Sequence, residues 1–251
     1  MQLEYFERLG TEAKSLADEV EQASGVEVCI RENLALAGRG PGGAGILTCD
    51  ISARSIEIST PSPDYFPDGA VIHELLHAKR MLIENVPRLS GSGVSNDWGP
   101  EFESALTHLD NAIEHLVIVP DELSRTPARR EHWEAVMKRT WEVDLPALSG
   151  QPQVKIWAFV HWAFLQHVLP DSSSVSPARE LLEARGWAEE AGQFVLELTP
   201  LLQSKPELAM YCFRKFDLPV EWTALEYFDC RDGSSHLVEL SDLPSNCSGV
   251  D

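Results

Sequence analysis

The feature that most constrains this chain is the stretch His73-Glu74-Leu75-Leu76-His77, which lies within a run of apolar residues spaced as on an α-helix. Residues four apart on a helix leave the same face about one turn from each other, so His73 and His77 project side by side. Two imidazoles at this spacing can bind one zinc ion with bonds of about 2.0–2.1 Å. The sequence therefore predicts a helix over residues 68 to 85 that carries a metal site.

The residues around the motif predict that one face of this helix is buried. The apolar positions, which form a single arc on a helical wheel, are Val71, Ile72, Leu75, Leu76, Ala78, Leu82 and Ile83. His73, Glu74 and His77 lie together outside that arc. Glu74 is turned about 100° from His73, next to a metal ion rather than on it, where it can take a proton from a bound water. The alternative is a pair of surface histidines without a metal.

A third ligand is needed, because a catalytic zinc ion usually has three protein ligands and an open position for water. The sequence offers one on a second predicted helix, over residues 101 to 119, which Pro120 is expected to close. Its polar face carries His108, Asn111, Glu114 and His115. Glu114 is the preferred metal ligand, and His115 and His108 are the alternatives. Asn111 and His115 are expected to orient ligands or to stabilise an oxyanion.

The composition of this second helix favours a functional interpretation of its polar face over a merely solvated one. The chain has no Lys or Arg from residue 89 to residue 124, although a solvated helix normally carries some. Ile118 also falls on the polar side, within an apolar run. We therefore expect the end of that face to be buried.

These residues resemble the zincin metallopeptidases, and in particular the gluzincin branch, in which a His-Glu-x-x-His helix is completed by a Glu from a downstream helix. The order of strands, motif helix and ligand helix over residues 26 to 120 is similar to the zincin core. The stretch 111 to 120 also resembles a segment of ImmA/IrrE-type peptidases, with Glu114 and His115 in place of two alanines. The resemblance implies a peptidase that holds Zn²⁺ with His73, His77 and Glu114.

The predicted fold class is α+β and mostly helical. It has a zincin-like core of a small N-terminal β-sheet, the motif helix and the ligand helix, followed by a helical C-terminal half. We assign the core to residues 1–124 and the helical extension to 125–251; the alternative is one continuous domain. The other predicted helices span 4–23, 128–142, 152–168, 176–190 and 206–216. Strands are predicted at 26–30, 46–51, 54–60 and after 219, with a glycine-rich turn at 38–45, a loop at 87–100 and a disordered tail at 245–251.

An aromatic cluster in the C-terminal half is interpreted as the core face of a helix rather than as a binding site. It comprises Trp157, Phe159, Trp162 and Phe164, with His161 and His167. His161 is the one member that could reach the metal site.

The charge of the chain excludes several partners. Its 20 Lys and Arg against 40 Asp and Glu give a formal net charge of −20. Nucleic acids and anionic membrane surfaces are therefore not expected as partners, whereas a basic peptide or protein is favoured. Five scattered cysteines without a Cys-x-x-Cys, and the absence of a signal-like or membrane-spanning apolar run, predict a cytoplasmic protein. The sequence leaves the oligomeric state open.

The function predicted from these features is that of a zinc metallopeptidase, a hydrolase that cleaves a peptide or protein substrate with Glu74 as general base. One alternative is a metal-bearing sensor or protein-binding module without turnover, which a closed four-ligand site would favour. Another is a metal-dependent amidase acting on a small molecule.

Overall fold

The computed structural model describes residues 3–38, 47–61, 68–95, 99–148 and 153–243. Its helices are α1 (Leu3–Arg8), α2 (Thr11–Ser24), α3 (Asp68–Leu82), α4 (Pro100–Arg125), α5 (Arg129–Arg139), α6 (Leu145–Ala147), α7 (Val154–His167), α8 (Val175–Ala184), α9 (Ala188–Leu198) and α10 (Lys205–Lys215). Its strands are β1 (Val28–Glu32), β2 (Thr48–Ile51), β3 (Ile56–Thr60), β4 (Arg88–Gly91), β5 (Thr223–Asp229) and β6 (Ser234–Glu239). A π-helical segment, Thr140–Asp144, joins α5 to α6. The prediction of a mostly helical α+β protein is confirmed.

The chain divides into two units at positions that differ from the predicted boundary at 124/125. The first unit comprises residues 1–88 and 226–236, and the second comprises residues 89–225 and 237–251. Helix α4 belongs to the second unit, where it packs against α7. The sequence grouped α4 with the motif helix because the two are neighbours along the chain. The helix against which α4 packs, α7, lies further along the chain and could not be recognised as its partner.

The first unit contains a sheet with the strand order β1-β3-β2. Strand β3 pairs in parallel with β1 and antiparallel with β2. The register places Val28 opposite Ile56 and Ile30 opposite Ile58, and all four side chains are buried. The alternation of apolar and polar residues predicted these strands correctly. Helix α3 packs against this sheet and against α2.

The helix predicted at 4–23 is interrupted at Gly10, which is a correction to the sequence analysis. The backbone N–H of Gly10 donates a hydrogen bond to Asp68 Oδ1 at 2.8 Å. A Cβ atom at this position would lie 2.7 Å from Asp68 Oδ2, so a larger residue would displace the carboxylate of Asp68. Helical periodicity could not reveal this break, because its partner lies 58 residues further along the chain.

A second sheet has the strand order β4-β5-β6. Its strands β5 and β6 confirm the prediction of strand structure after residue 219. Strand β4 falls in the stretch 87–100 that was predicted as a loop, so that prediction is wrong there. The pattern of residues 88–91 is too short to indicate a strand, and its partner β5 comes more than a hundred residues later.

Helix α4 continues through Pro120, whereas the sequence analysis expected it to end there. Proline in a helix interior removes one hydrogen bond and costs about 3 kcal/mol. Ile118 and Val119 on one side of Pro120 and Glu122 on the other are buried, with exposed fractions of 2%, 0% and 0%. Their burial offsets the cost of the proline and keeps the chain helical to Arg125. The predicted burial of Ile118 is confirmed.

The replacement Pro120→Ala is expected to raise the free energy of unfolding by about 1 kcal/mol, because alanine restores the missing backbone hydrogen bond at an exposed position. Urea denaturation monitored by circular dichroism measures the change. Pro127→Ala, in the turn after α4, is the control and should instead lower stability by about 0.4–1 kcal/mol through the entropy of the unfolded chain. An equal loss in both variants would contradict this account.

Helix α7 forms the centre of the second unit and packs against α4, α6, α8 and α9. Phe159 is fully buried, with its ring centroid 5.6 Å from those of Phe194 and Phe216. Trp162 and Phe164 are also buried, so the predicted core role of these three aromatic residues on α7 is confirmed. The helix predicted at 176–190 is two helices, α8 and α9, separated where Gly186 adopts a φ of 69°.

Two predicted segments lie outside the described residues: positions 39–45 of the glycine-rich turn, and the tail at 245–251. Among the helices that are described, none combines the length and the apolar character required to cross a bilayer.

Candidate metal-binding residues

The two histidines of the motif lie one turn apart on α3, as the sequence predicted. Their ring centroids are 4.9 Å apart and the ring planes are inclined by 84°. Two nitrogen ligands of a tetrahedral ion lie about 3.3 Å apart when each bond is about 2.0–2.1 Å. Rings at the observed separation can present nitrogens at that distance. His73 is 9% exposed and His77 is half-buried, so both rings are partly shielded from bulk water.

Helix α3 holds this pair in place through its opposite face. Val71, Ile72 and Leu75 have no exposed surface, because they pack into the core of the first unit. Lys79 forms an ion pair with Glu19 of α2, with the Nζ and Oε1 atoms 2.7 Å apart. The helix ends at Leu82, before Asn85 adopts a left-handed φ of 55°. The motif is thus on a rigid element rather than on a loop.

Glu74 is half-buried and lies near the sheet of the first unit. Burial raises the pKa of the Cys49 thiol well above its usual range, and the negative charges of Glu74 and Asp50 raise it further. Cys49 belongs to β2, which is an edge strand of the sheet β1-β3-β2. The carboxylate of Glu74 is therefore close enough to this edge strand to act on its electrostatics.

Glu114, the preferred third ligand from the sequence, is buried in the second unit beside a lysine. Its Oε1 atom lies 3.1 Å from Lys205 Nζ, and the same ammonium lies 2.7 Å from Asp110 Oδ1. Burial raises the pKa of Asp110, the charge of Lys205 lowers it, and the charge of Glu114 raises it. Ligation of a zinc ion by Glu114 would bring two cationic groups to one carboxylate. The assignment of Glu114 stays a prediction, and its contact with Lys205 weighs against it.

His115 is half-buried and makes an aromatic contact within the second unit. Its ring centroid lies 4.9 Å from that of Trp133 in an edge-on arrangement. The indole N–H of Trp133 donates a 3.0 Å hydrogen bond to Glu122, whose carboxylate also forms a 2.5 Å ion pair with Arg129. Because Glu122 is fully buried, this chain of contacts fixes the indole against which His115 rests.

Sequence analysis did not identify Glu122, Arg129 and Trp133 as residues that hold a candidate ligand. They lie beyond the expected end of the ligand helix at Pro120. Glu122 follows Ile118 by four residues and so shares its helix face, which is the sequence signal that could have drawn attention to it.

His108 and Asn111 are exposed residues of α4 that line a cavity of about 160 Å³ in the second unit. Among the described residues, the lining consists of His108, Asn111, Ala112, His115, Trp133, Val136, Met137, Trp157, Val160, His161 and Phe164. Trp157, His161 and Phe164 follow one another at positions i, i+4 and i+7 of α7. The sequence interpretation placed Trp157 and His161 in the core, whereas the structure places them, beside the buried Phe164, in the lining of a cavity.

No family model, curated protein or solved structure matches this chain. The resemblance to zincin peptidases therefore depends on the motif and on the order of the elements around it.

Proposed function

We propose that this protein is a zinc-dependent metallopeptidase. The observation that carries the proposal is the His-Glu-x-x-His sequence on α3, with the rings of His73 and His77 on one face at a centroid distance of 4.9 Å and Glu74 between them in sequence. The order β1, β2, β3, α3 and then α4 along the chain supports a zincin-like core.

Of the alternatives that the sequence offers for the third ligand, we prefer His115, so the donor set would be three imidazoles, from His73, His77 and His115. Three neutral histidines and a water are a donor set that zinc takes in catalytic sites. Glu114 is the weaker candidate, since its carboxylate already pairs with Lys205. Bound zinc would lower the pKa of its water to about 7 and polarise the scissile carbonyl.

Glu74 is the general base in this mechanism. Its carboxylate would take the proton of the attacking water and pass it to the leaving amine. Asn111, or His108 if His115 is a ligand, could donate a hydrogen bond to the oxyanion. The roles of Asn111 and His115 as oxyanion donors stay predictions.

The substrate we propose is an extended peptide or protein segment. In the described sheet, β2 is an edge strand, and an edge strand offers backbone groups with which an extended peptide can pair. The net charge of −20 favours a basic substrate. Cys29, Cys49, Cys212 and Cys230 are free thiols, which suits a reducing compartment such as the cytoplasm.

Metal content tests the proposal and separates the two candidate third ligands. The wild type, His115→Ala and Glu114→Gln are purified without added metal, and the zinc content of each is measured by mass spectrometry. We expect about one zinc ion per chain in the wild type and in Glu114→Gln, in which the amide oxygen can still accept from Lys205. We expect a marked loss of zinc in His115→Ala.

His108→Ala is the matched control, since His108 lies on the same helix and should not affect zinc content. If Glu114→Gln loses its zinc and His115→Ala keeps it, Glu114 rather than His115 is the third zinc ligand. A wild-type protein that takes up no zinc, even when zinc is offered, would contradict the metal site altogether. A zinc-loaded wild type that cleaves no peptide would favour a metal-bearing binding module.

A further inference from the structure

The cavity of about 160 Å³ in the second unit has the size, lining and polarity of a ligand site. We propose that it binds one neutral phenol-type ring, either as a free small molecule or as the side chain of a tyrosine. The cavity shares His115 with the proposed zinc ligands and His108 and Asn111 with the proposed oxyanion donors, but the proposal is tested on the metal-free protein and does not require a zinc ion.

The volume suits a single six-membered ring. An engineered protein cavity of about 150 Å³ with an apolar lining stays dry and binds benzene. The present cavity is slightly larger, which leaves room for one hydroxyl group on the ring. An indole or a two-ring ligand would exceed this volume.

The lining favours an aromatic ligand without charge. Its apolar part includes Trp133, Trp157 and Phe164, and the ring centroids of Trp133 and Phe164 are 5.3 Å apart. His108 meets Trp157 edge-on at 5.7 Å, so aromatic faces and edges surround the space. Among the described residues that line the cavity, none is Asp, Glu, Lys or Arg. A charged ring such as benzoate would lose its hydration without gaining a partner of opposite charge.

His161 supplies the polar contact that distinguishes phenol from benzene. Its Nδ1 atom lies 2.7 Å from the carbonyl oxygen of Trp157. A carbonyl only accepts, so the proton of the ring is on Nδ1. Burial lowers the pKa of His161, which keeps the ring neutral at pH 7. The Nε2 atom then carries a lone pair that can accept a hydrogen bond from a ligand hydroxyl.

Titration of the ¹⁵N-labelled protein with phenol and with benzene tests the proposal. Trp133 and Trp157 line the cavity, so the tryptophan indole N–H resonances in the NMR spectrum report binding. We expect phenol to bind with a Kd on the order of 1 mM. Benzene should bind about 10-fold more weakly, because it leaves His161 without a donor. Benzoate should cause no change in these resonances.

The variant Ala112→Leu fills the cavity from α4 and should weaken phenol binding at least 10-fold. Ala105→Leu, two turns earlier on the same helix and outside the lining, is the control and should bind phenol as the wild type does. His161→Phe should bind phenol and benzene equally. If His161→Phe fails to fold, the comparison of Ala112→Leu with Ala105→Leu still tests whether phenol binds in the cavity.

The source of the ring is distinguished with N-acetyl-tyrosinamide and N-acetyl-phenylalaninamide. Binding of the tyrosine derivative, with the phenylalanine derivative weaker, supports a side chain of a polypeptide as the occupant. Binding of phenol alone supports a free small molecule. The absence of saturable binding by both phenol and the tyrosine derivative, or equal binding of phenol to wild type and Ala112→Leu, would overturn the proposal.

Discussion

The variant Glu74→Gln is expected to keep its zinc and to lose peptidase turnover by about 1,000-fold. Glutamine has the shape of glutamate, so the fold of α3 and the positions of the two histidines should not change. Its amide cannot accept a proton from the attacking water, which is the step assigned to Glu74. The measurement is kcat on a pool of fluorogenic peptides, with zinc content determined on the same samples.

Glu84→Gln is the matched control for this prediction. Glu84 lies just beyond the end of α3 and pairs with Arg80 at 3.4 Å on the protein surface. Its replacement should leave kcat and zinc content unchanged. A Glu74→Gln protein that carries zinc and cleaves at the rate of the wild type would exclude Glu74 as the general base. Loss of zinc from this variant would mean that Glu74 supports the ligands rather than the proton transfer.

The elements that the sequence predicts well are those whose signals are local. The apolar face of α3 and the position of His73 and His77 one turn apart outside that face follow from a period of 3.6 residues, which is set within a few turns of one helix. The strands of the first sheet follow from the alternation of apolar residues such as Ile56 and Ile58. In both cases the spacing of the apolar residues is enough to predict the element, without knowledge of the element against which it packs.

The elements that the sequence does not predict depend on distant partners. The break at Gly10 is stabilised by a hydrogen bond to Asp68, and β4 pairs with β5. The continuation of α4 past Pro120 depends on burial of its neighbours, which outweighs the local cost of proline. Local propensity gave the wrong result at each place because tertiary contacts supplied the larger free energy.

The same limit applies to the candidate site. The sequence offered His108, Glu114 and His115 of α4 as candidate ligands, but it could not rank them. Glu114 meets Lys205, which lies 91 positions later in the chain, and His115 meets Trp133. Sequence spacing does not indicate that Glu114 pairs with a lysine while its neighbour His115 contacts a tryptophan ring. The preference for His115 over Glu114 therefore required the structure.

The variant Lys205→Met is expected to lower the free energy of unfolding by about 3–5 kcal/mol at pH 7. The side chain of Lys205 is 2% exposed, and its ammonium lies within 3.1 Å of carboxylate oxygens from both Asp110 and Glu114. Methionine fills similar space but leaves two largely buried carboxylates without a cation. Urea denaturation monitored by circular dichroism measures the loss.

Lys215→Met, on the same helix α10, is the control, because Lys215 pairs with Glu197 at 3.4 Å near the surface and is 24% exposed. A partly exposed pair contributes at most about 1 kcal/mol. Adding Asp110→Asn and Glu114→Gln to Lys205→Met should recover most of the loss, since neutral groups are less costly to bury than unpaired charges. Equal stability of Lys205→Met and the wild type at pH 7 would contradict the role of this lysine.

The pH dependence of Lys205→Met has a definite sign. Burial raises the pKa of Asp110 above its ordinary value of 3.8 already in the wild type. The stability that a raised carboxyl pKa contributes is present below the ordinary value and is lost as the pH rises through the folded-state value. Removal of Lys205 takes away a positive charge that lowers this pKa, so the pKa of Asp110 should be higher in the variant. The pH range over which this stability is lost should therefore extend to higher pH. The stability deficit of the variant should therefore be smaller at pH 5 than at pH 7, and a deficit that grows on acidification would show that the two carboxylates are not its cause.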